Sequence, residues 1–336
     1  MTPDYPLTFT PLLRERVWGG NKLATLFGKA VPPGARIGES WEITDRAEGV
    51  SIVSNGPLAG RSLRELLLDH ASALLGDLPA PGGQFPWLVK ILDAREDLSL
   101  QVHPPASKAT ALRGEPKTEM WYVADTEPGA LLHVGVQPGV TREVFEARTR
   151  DGSVAGCFHR HAVRRGDVMF VPSGRVHALG AGNVVFEIQQ NSDTTYRVFD
   201  WNRVGLDGRP RELHLEPAFE SIDYEDTLPA LVPELWQPWA PGVSLRPLVH
   251  HPLFDIDLLR LEGERTTNPA LRGGPAVVGC VEGAVTVTTS ASGVRLEAGQ
   301  FALVPARCGE FRMEAAGNGG QVLVVRKHAV GGAHPG

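Results

Sequence analysis

Three segments of this 336-residue chain carry side chains that could hold a divalent cation. In GDVMFVPSGRVHALGAG, residues 166–182, the apolar run VMFV ends at a turn marked by Pro172 and Gly174, and His177 follows just past it. LSLQVHP carries Gln101 and His103. On a strand these two side chains leave the same face while Val102 leaves the other. KTEMWYVAD carries Glu119 at the head of the next strand-like run, with Lys117 two residues before it. Brought together, two neutral imidazoles, one carboxylate and one amide oxygen suit Zn²⁺ or another first-row metal. A buried Glu119 without a cation would need a different charge partner. The same residues also fit a plainer arrangement, with Glu119 and Lys117 on a solvated edge and His103 closing a turn before Pro104 and Pro105. Spacing alone leaves both open. His159 and His161, in HRH, have ligand spacing too. They stand among Arg160, Arg164 and Arg165 before Gly166, in what reads as a cationic, solvated loop, a poor place for a dication.

The elements that must position these residues are mostly short strands. Apolar runs of four to eight residues, bounded by Gly, Pro, Asn or Asp, recur along the chain: WLVKIL (87–92), LSLQVH (98–103), MWYVA (120–124), VMFVP (168–172), VVFEI (184–188), FDIDLLRL (254–261), AVTVTT (284–289) and FALVP (301–305). Glycine (38) and proline (27) are spread along the sequence, as many turns require. Helix signals are few. SLRELLLDHASALLG (62–76) opens with Ser62 and Glu65 at capping-box spacing and ends at Gly76. Residues 141–152, 214–222 and 104–113 are weaker candidates. A mainly β fold is expected, with a larger domain over 1–230, a proline-rich linker over 231–242 and a smaller β domain over 243–336. Closed barrels and double-sheet jelly rolls suit so many short strands, because they leave few edges exposed.

A net charge of −6 without a long basic run argues against nucleic-acid or anionic-membrane partners. Cys157, Cys280 and Cys308 are far apart in sequence and form no CxxC, so a reducing compartment is expected. No signal peptide and no apolar run long enough to span a membrane is visible. The expected location is the cytoplasm.

GDVMFVPSGRVH resembles the second motif of the cupins, through Gly166, Pro172, Gly174 and His177. The asparagine that often follows the histidine is Ala181 here. The first cupin motif, HxH with a glutamate shortly after, is replaced by QVH with Glu119 sixteen residues beyond His103. That departure resembles the type I phosphomannose isomerases in their short bacterial form. GESWEITD (38–45), WLVKILDAREDLSLQVHP (87–104), PKTEMWYVAD (116–125), GDVMFVPSGRVHAL (166–179) and QQNSDTTYRVFDWNR (189–203) carry the resemblance. It implies two cupin-type jelly-roll β-barrel domains with a few short helices. It also implies one Zn²⁺ per chain on Gln101, His103, Glu119 and His177, with Arg197, Lys117 and Asp193 as catalytic residues. Long-form members place a histidine before the lysine; here it is Pro116. EAGQFALVPARCGEF (297–311) repeats the shape of the second motif without its histidine, so the C-terminal domain is expected to lack metal.

The implied reaction interconverts mannose 6-phosphate and fructose 6-phosphate, moving a hydrogen between C2 and C1 through an enediolate. A metal can stabilise that charge as a Lewis acid, and Lys117 and Arg197 can add to it. Arginine also suits phosphate, so Arg197 has two candidate roles. Asp193, Glu39 and a neutral Lys117 are candidate bases, and Trp18, Trp41 and Trp121 are candidates for pocket walls or core. The expected partner is a phosphosugar, with the chain a monomer or homodimer. His103, Glu119 and His177 also suit a non-haem Fe(II) oxygenase, and a non-catalytic sugar-binding cupin is the other alternative.

Overall fold

Strands that are buried on both faces read as nearly unbroken apolar runs, and Trp87–Asp93, with every residue buried, is one of them. The computed structural model describes residues 1–329, so the end of the expected C-terminal domain, 330–336, lies outside the described residues. The chain is mainly β with a few short helices. It divides into two units. One comprises Leu13–Trp41 and Trp87–Val232; the other comprises Met1–Leu12, Glu42–Pro86 and the chain from Pro233 onward. Two segments inside the expected N-terminal domain, 1–12 and 42–86, thus group with the C-terminal part. The proline-rich stretch contains a strand, Gln237–Ala240, paired with Val243–His251.

The first unit holds two sheets. One orders its strands as Leu12–Gly20, Ile37–Ile43, Trp87–Asp93, Asn183–Gln190, Glu119–Thr126 and Val168–Val171. The other runs Tyr196–Phe199, Leu100–Val102, His177–Leu179, Leu131–Val136 and Phe158–Ala162. A core drawn from both sheets lies between them: Trp18, Leu92, Trp121, Val123 and Val185 from the first, Leu132, Val134 and Leu179 from the second. The opposite face of the second sheet buries Leu100, Val102, Ala178 and Val198 against Phe145 and Phe219, from the helices Arg142–Asp151 and Leu215–Ser221. Alternation then fixes the rest. With 100, 102 and 178 packed outward, Gln101, His103 and His177 face the space between the sheets.

The second unit is built on an eight-stranded sheet in which the long strands Ala276–Thr288 and Arg312–Arg326 pair along most of their length. Helix Leu63–Leu75 belongs to this unit. Its capping box is formed: Glu65 N donates to Ser62 Oγ at 3.2 Å and Ser62 N donates to Glu65 Oε2 at 2.8 Å. Gly76 ends it at φ +56°, where a Cβ would lie 2.1 Å from the Gly273 carbonyl oxygen. The weaker candidates form Arg142–Asp151, Leu215–Ser221 and Ala106–Ala109. A further helix, Lys22–Phe27, is too short to show a period in sequence. Among the described residues no helix is long and apolar enough to cross a membrane.

Replacing Ser62 with Ala removes one side of the capping box. The variant is expected to lose about 1 kcal/mol of stability, read by denaturant unfolding.

Candidate functional site

His177 opens its strand directly opposite Gln101 on one side and Val134 on the other. His103 lies one residue beyond Leu100–Val102, and its carbonyl accepts from Gly174 N at 2.8 Å, at the turn the sequence marked. Glu119 is the first residue of a strand in the facing sheet, level with Val171 and Gln189. The three side chains meet. His177 Nε2 is 3.4 Å from Glu119 Oε1, and His103 Nε2 is 3.6 Å from Glu119 Oε2. Among the described residues this is the one group of three His, Cys, Asp or Glu donors lying within 4.8 Å of one another. Glu119 is 0% exposed and Lys117 4%, which removes the solvated-edge arrangement. The HRH segment is a strand, Phe158–Ala162, and not a loop; its His159 Nε2 bonds the Thr227 carbonyl oxygen at 2.8 Å.

The donor set fits a divalent ion. His103 Nδ1 lies 2.7 Å from the Thr194 carbonyl oxygen, and His177 Nδ1 lies 2.8 Å from that of Arg175. Carbonyl oxygens only accept, so each Nδ1 carries the proton and each Nε2 turns a lone pair into the cluster. Burial pushes the His177 imidazole down to about 4. Burial, then the charge of Lys117, holds His103 well below the ordinary imidazole value. Both rings are neutral at pH 7, as ligands must be. His103 Nε2 and Glu119 Oε1 are buried with no hydrogen-bond partner, a costly arrangement that a cation between them would relieve. Gln101 brings its carboxamide within 3.3 Å of His177 Nε2, with the nitrogen facing the ring. A half-turn of that amide would present its oxygen instead. Trp121 packs edge-on to His177 at 5.3 Å, so it belongs to the wall of the cluster as well as the core.

A network of buried charges adjoins this cluster. Lys117 Nζ is 2.8 Å from Glu119 Oε2 and 3.6 Å from Glu187 Oε1. Burial opposes its charge, but Glu119 and Glu187 overcome that and raise the lysine above its ordinary value. These carboxylates favour the charged form of Lys117, which weighs against a neutral lysine acting as base. Lys90 Nζ, also buried, lies 3.2 Å from Asp193 and 3.7 Å from both Glu39 and Glu187. Burial opposes the charge of Glu39 as well. Lys90, Arg16 and the Trp41 indole N–H outweigh it and bring this carboxyl down to about 2. Glu187 goes the other way. Burial raises it, and although Lys117 and Lys90 pull it down, its neighbour Glu119 adds to the rise.

A cavity of about 570 Å³ opens over these groups. Gln101, Lys117, Glu187, Asp193 and Arg197 line it, as does Trp18. Trp41 sits behind, under the ammonium of Lys90 at 4.9 Å. Arg197 lies across from Gln101 in the strand pair, and its Nη1 donates to the Glu212 carbonyl oxygen at 2.7 Å. All seven residues expected at the site converge on this cluster and cavity. Lys90, Glu187 and Arg16 join the site beyond those seven, and the first two carry a signal in sequence: each is one charge inside an otherwise apolar strand, in WLVKIL and VVFEI.

Comparison with known proteins follows the same lines. Residues 7–135 match the profile of the phosphomannose isomerase type I catalytic domain. The chain is 37% identical over 314 residues to the probable mannose-6-phosphate isomerase GmuF of Bacillus subtilis, covering 92% of this chain and 96% of that protein. It is 36% identical to the mannose-6-phosphate isomerase of Streptococcus mutans, covering 77% and 79% respectively. The crystal structure of the mannose 6-phosphate isomerase from Bacillus subtilis superposes with a TM-score of 0.86 at 29% identity, covering 96% of this chain and 99% of that one.

The neutral, buried state of His177 has a consequence for metal-free protein. Unfolded, the ring takes a proton near its ordinary value of 6.5; folded, only near 4. Its contribution to stability is present above about pH 6.5 and is lost as pH falls toward 4, about 3 kcal/mol in all. Unfolding measured at pH 7 and pH 4 is expected to show a correspondingly smaller loss in His177→Leu than in the wild type. Equal losses would exclude the effect.

Proposed function

This chain belongs to the family of type I phosphomannose isomerases, and we infer that it interconverts mannose 6-phosphate and fructose 6-phosphate by moving a hydrogen between C1 and C2. The observation that carries this reading is the meeting of His103, Glu119 and His177 against Lys117 and Gln101, which line a cavity together with Arg197. Family membership sets aside the oxygenase and the non-catalytic sugar-binding alternatives.

Gln101, His103, Glu119 and His177 would hold one Zn²⁺ per chain. Bound there, the ion supplies Lewis-acid polarisation of the sugar oxygens at C1 and C2. The chain's own groups manage the proton. A base removes it from C2 of the aldose, the C–H electron pair forms a C1–C2 double bond, and negative charge moves to the C1 oxygen. Delivery of the proton to C1, gain of a proton by the C1 oxygen and loss of the C2 hydroxyl proton give the ketose. Lys117, kept charged by Glu119 and Glu187, is suited to stabilise the developing oxyanion at no cost in reorganisation. Of the carboxylates that line the cavity, Asp193 and Glu187 are the candidates for the proton transfer. Glu39 is a poor base: an acid near 2 has little affinity for a proton at pH 7. We further read the catalytic domain, within 1–230, and the domain at 243–336, joined through 231–242, as two cupin-type jelly-roll barrels. The second would carry no metal. The chain would act in the cytoplasm as a monomer or homodimer.

Protein stripped with a chelator is expected to lose conversion of mannose 6-phosphate and to regain it with Zn²⁺. No turnover from folded, metal-loaded protein would overturn the reading. Lys117→Met should cut kcat about 10²-fold or more with metal still bound. Asp193→Asn and Glu187→Gln should separate the base from its neighbour, the larger fall, about 10²-fold or more, marking the residue that takes the C2 proton.

A further inference from the structure

The segment that follows Arg197 brings two more arginines onto one buried carboxylate. Asp200 is 5% exposed. Its Oδ1 accepts from Arg203 Nε at 3.1 Å and from Arg203 Nη2 at 2.9 Å. Arg211 Nε donates to its Oδ2 at 2.7 Å, and Arg211 Nη2 closes a second short bond to Oδ1. The chain between doubles back to make this possible. Trp201 and Asn202 both take left-handed backbone, at φ +56° and +53°. Such conformations cost non-glycine residues energy and persist only when their surroundings enforce them. Trp201 is anchored by its indole N–H to the Leu98 carbonyl oxygen at 2.7 Å. Val204 pairs with Pro210, Gly205 N donates to the Arg209 carbonyl oxygen at 2.7 Å, and Asp207 Oδ1 accepts from Arg209 N at 3.0 Å.

The three guanidiniums are not equivalent. Arg203 has Glu96 at 3.8 Å as well as Asp200, and it does not line the cavity. Arg211 and Arg197 both line it. The fork of Arg211 on Asp200 uses Nε and Nη2, so Nη1 is the group left to reach a ligand. The Nε of Arg197 is buried without a hydrogen-bond partner. Burial, and next the charge of Arg211, pull Arg197 below the usual guanidinium value. An anion placed between the two would relieve both penalties. Since Arg197 stands beside Gln101 in the sheet, this cationic corner borders the Gln101 side of the cluster. A sugar whose C1 and C2 oxygens lie at the cluster would extend its far end toward the arginines.

We infer that Arg211, held by Asp200, is a specificity-determining residue that binds the phosphoryl group of the substrate together with Arg197. The inference rests on the isomerase reading and assigns Asp200 as a positioning residue. Guanidinium groups match phosphate oxygens in geometry, and a guanidinium fixed by a carboxylate loses little freedom on binding.

The test uses metal-loaded full-length protein, with inorganic phosphate as the probe. Arg211→Ala is expected to raise KM for mannose 6-phosphate about tenfold or more, and to weaken competitive inhibition by inorganic phosphate by a similar factor. Arg211→Lys should recover part of both, since it keeps the charge without the fork. Asp200→Asn should weaken phosphate inhibition alone, yet add nothing in the Arg211→Ala background, because it acts through Arg211. A KM and a phosphate inhibition constant within about twofold of wild type in Arg211→Ala would overturn the proposal. Independent effects of Asp200→Asn and Arg211→Ala would overturn the positioning role. If the wild type itself fails to turn over, the isomerase reading falls. Calorimetric titration of inorganic phosphate into wild type and Arg211→Ala then decides the anion site by itself: a tenfold loss supports it, equal affinity overturns it.

Discussion

Glu119 between two neutral imidazoles and the ammonium of Lys117 is the contact on which the site depends. A carboxylate at 0% exposure between two sheets would be costly by several kcal/mol if left alone. One oxygen has Lys117; the other has no hydrogen bond. Everything nearby follows from that imbalance. The histidines are locked by carbonyl oxygens into the tautomer that offers lone pairs rather than protons, so they cannot neutralise the carboxylate themselves. The charge is balanced by Lys117 on one side and reserved for a cation on the other.

The sandwich makes such charges useful by keeping one part of its interior dry. Trp121, Val123, Leu179 and Val185 fill the space between the sheets, and the cluster adjoins it through the edge of Trp121 against His177. Electrostatic interactions strengthen as water is excluded. Lys117 and Lys90 are thus held in place by carboxylates, and the cavity they line carries fixed charges.

The strand period made part of this visible in the sequence. Gln101 and His103 share a face because Leu100 and Val102 pack on the other, and the turn at Pro172 and Gly174 delivers His177 beside them. The burial of Glu119 and Lys117 was not visible, because nothing local separates the first residue of a buried strand from one on a wet edge. Lys90 and Glu187, by contrast, are legible: a single charge inside WLVKIL or VVFEI has to find a partner across the sheet, and these two are direct cross-strand neighbours. The two-unit arrangement was hidden for a different reason. Leu7 bonds Leu303, and helix Leu63–Leu75 sits in the unit built from residue 233 onward. Such pairings depend on contacts far apart in the chain, which no local pattern records.

Two carboxylates in the same network end with opposite tendencies. Glu39 accepts from Arg16 at 2.8 Å and from the Trp41 indole at 2.6 Å, with Lys90 beyond. Its oxygens are occupied and its proton affinity is nearly gone, so it serves to hold Arg16, Trp41 and Lys90 in place. Glu187 accepts from the Trp121 indole through Oε2 at 3.1 Å, while Oε1 has no hydrogen bond and faces the two lysines at 3.6 and 3.7 Å. Burial leaves it the more basic of the two. Groups whose surroundings push their proton affinities apart are candidates for acid–base roles, and the separation favours Glu187 over Glu39 as a proton acceptor in the proposed reaction.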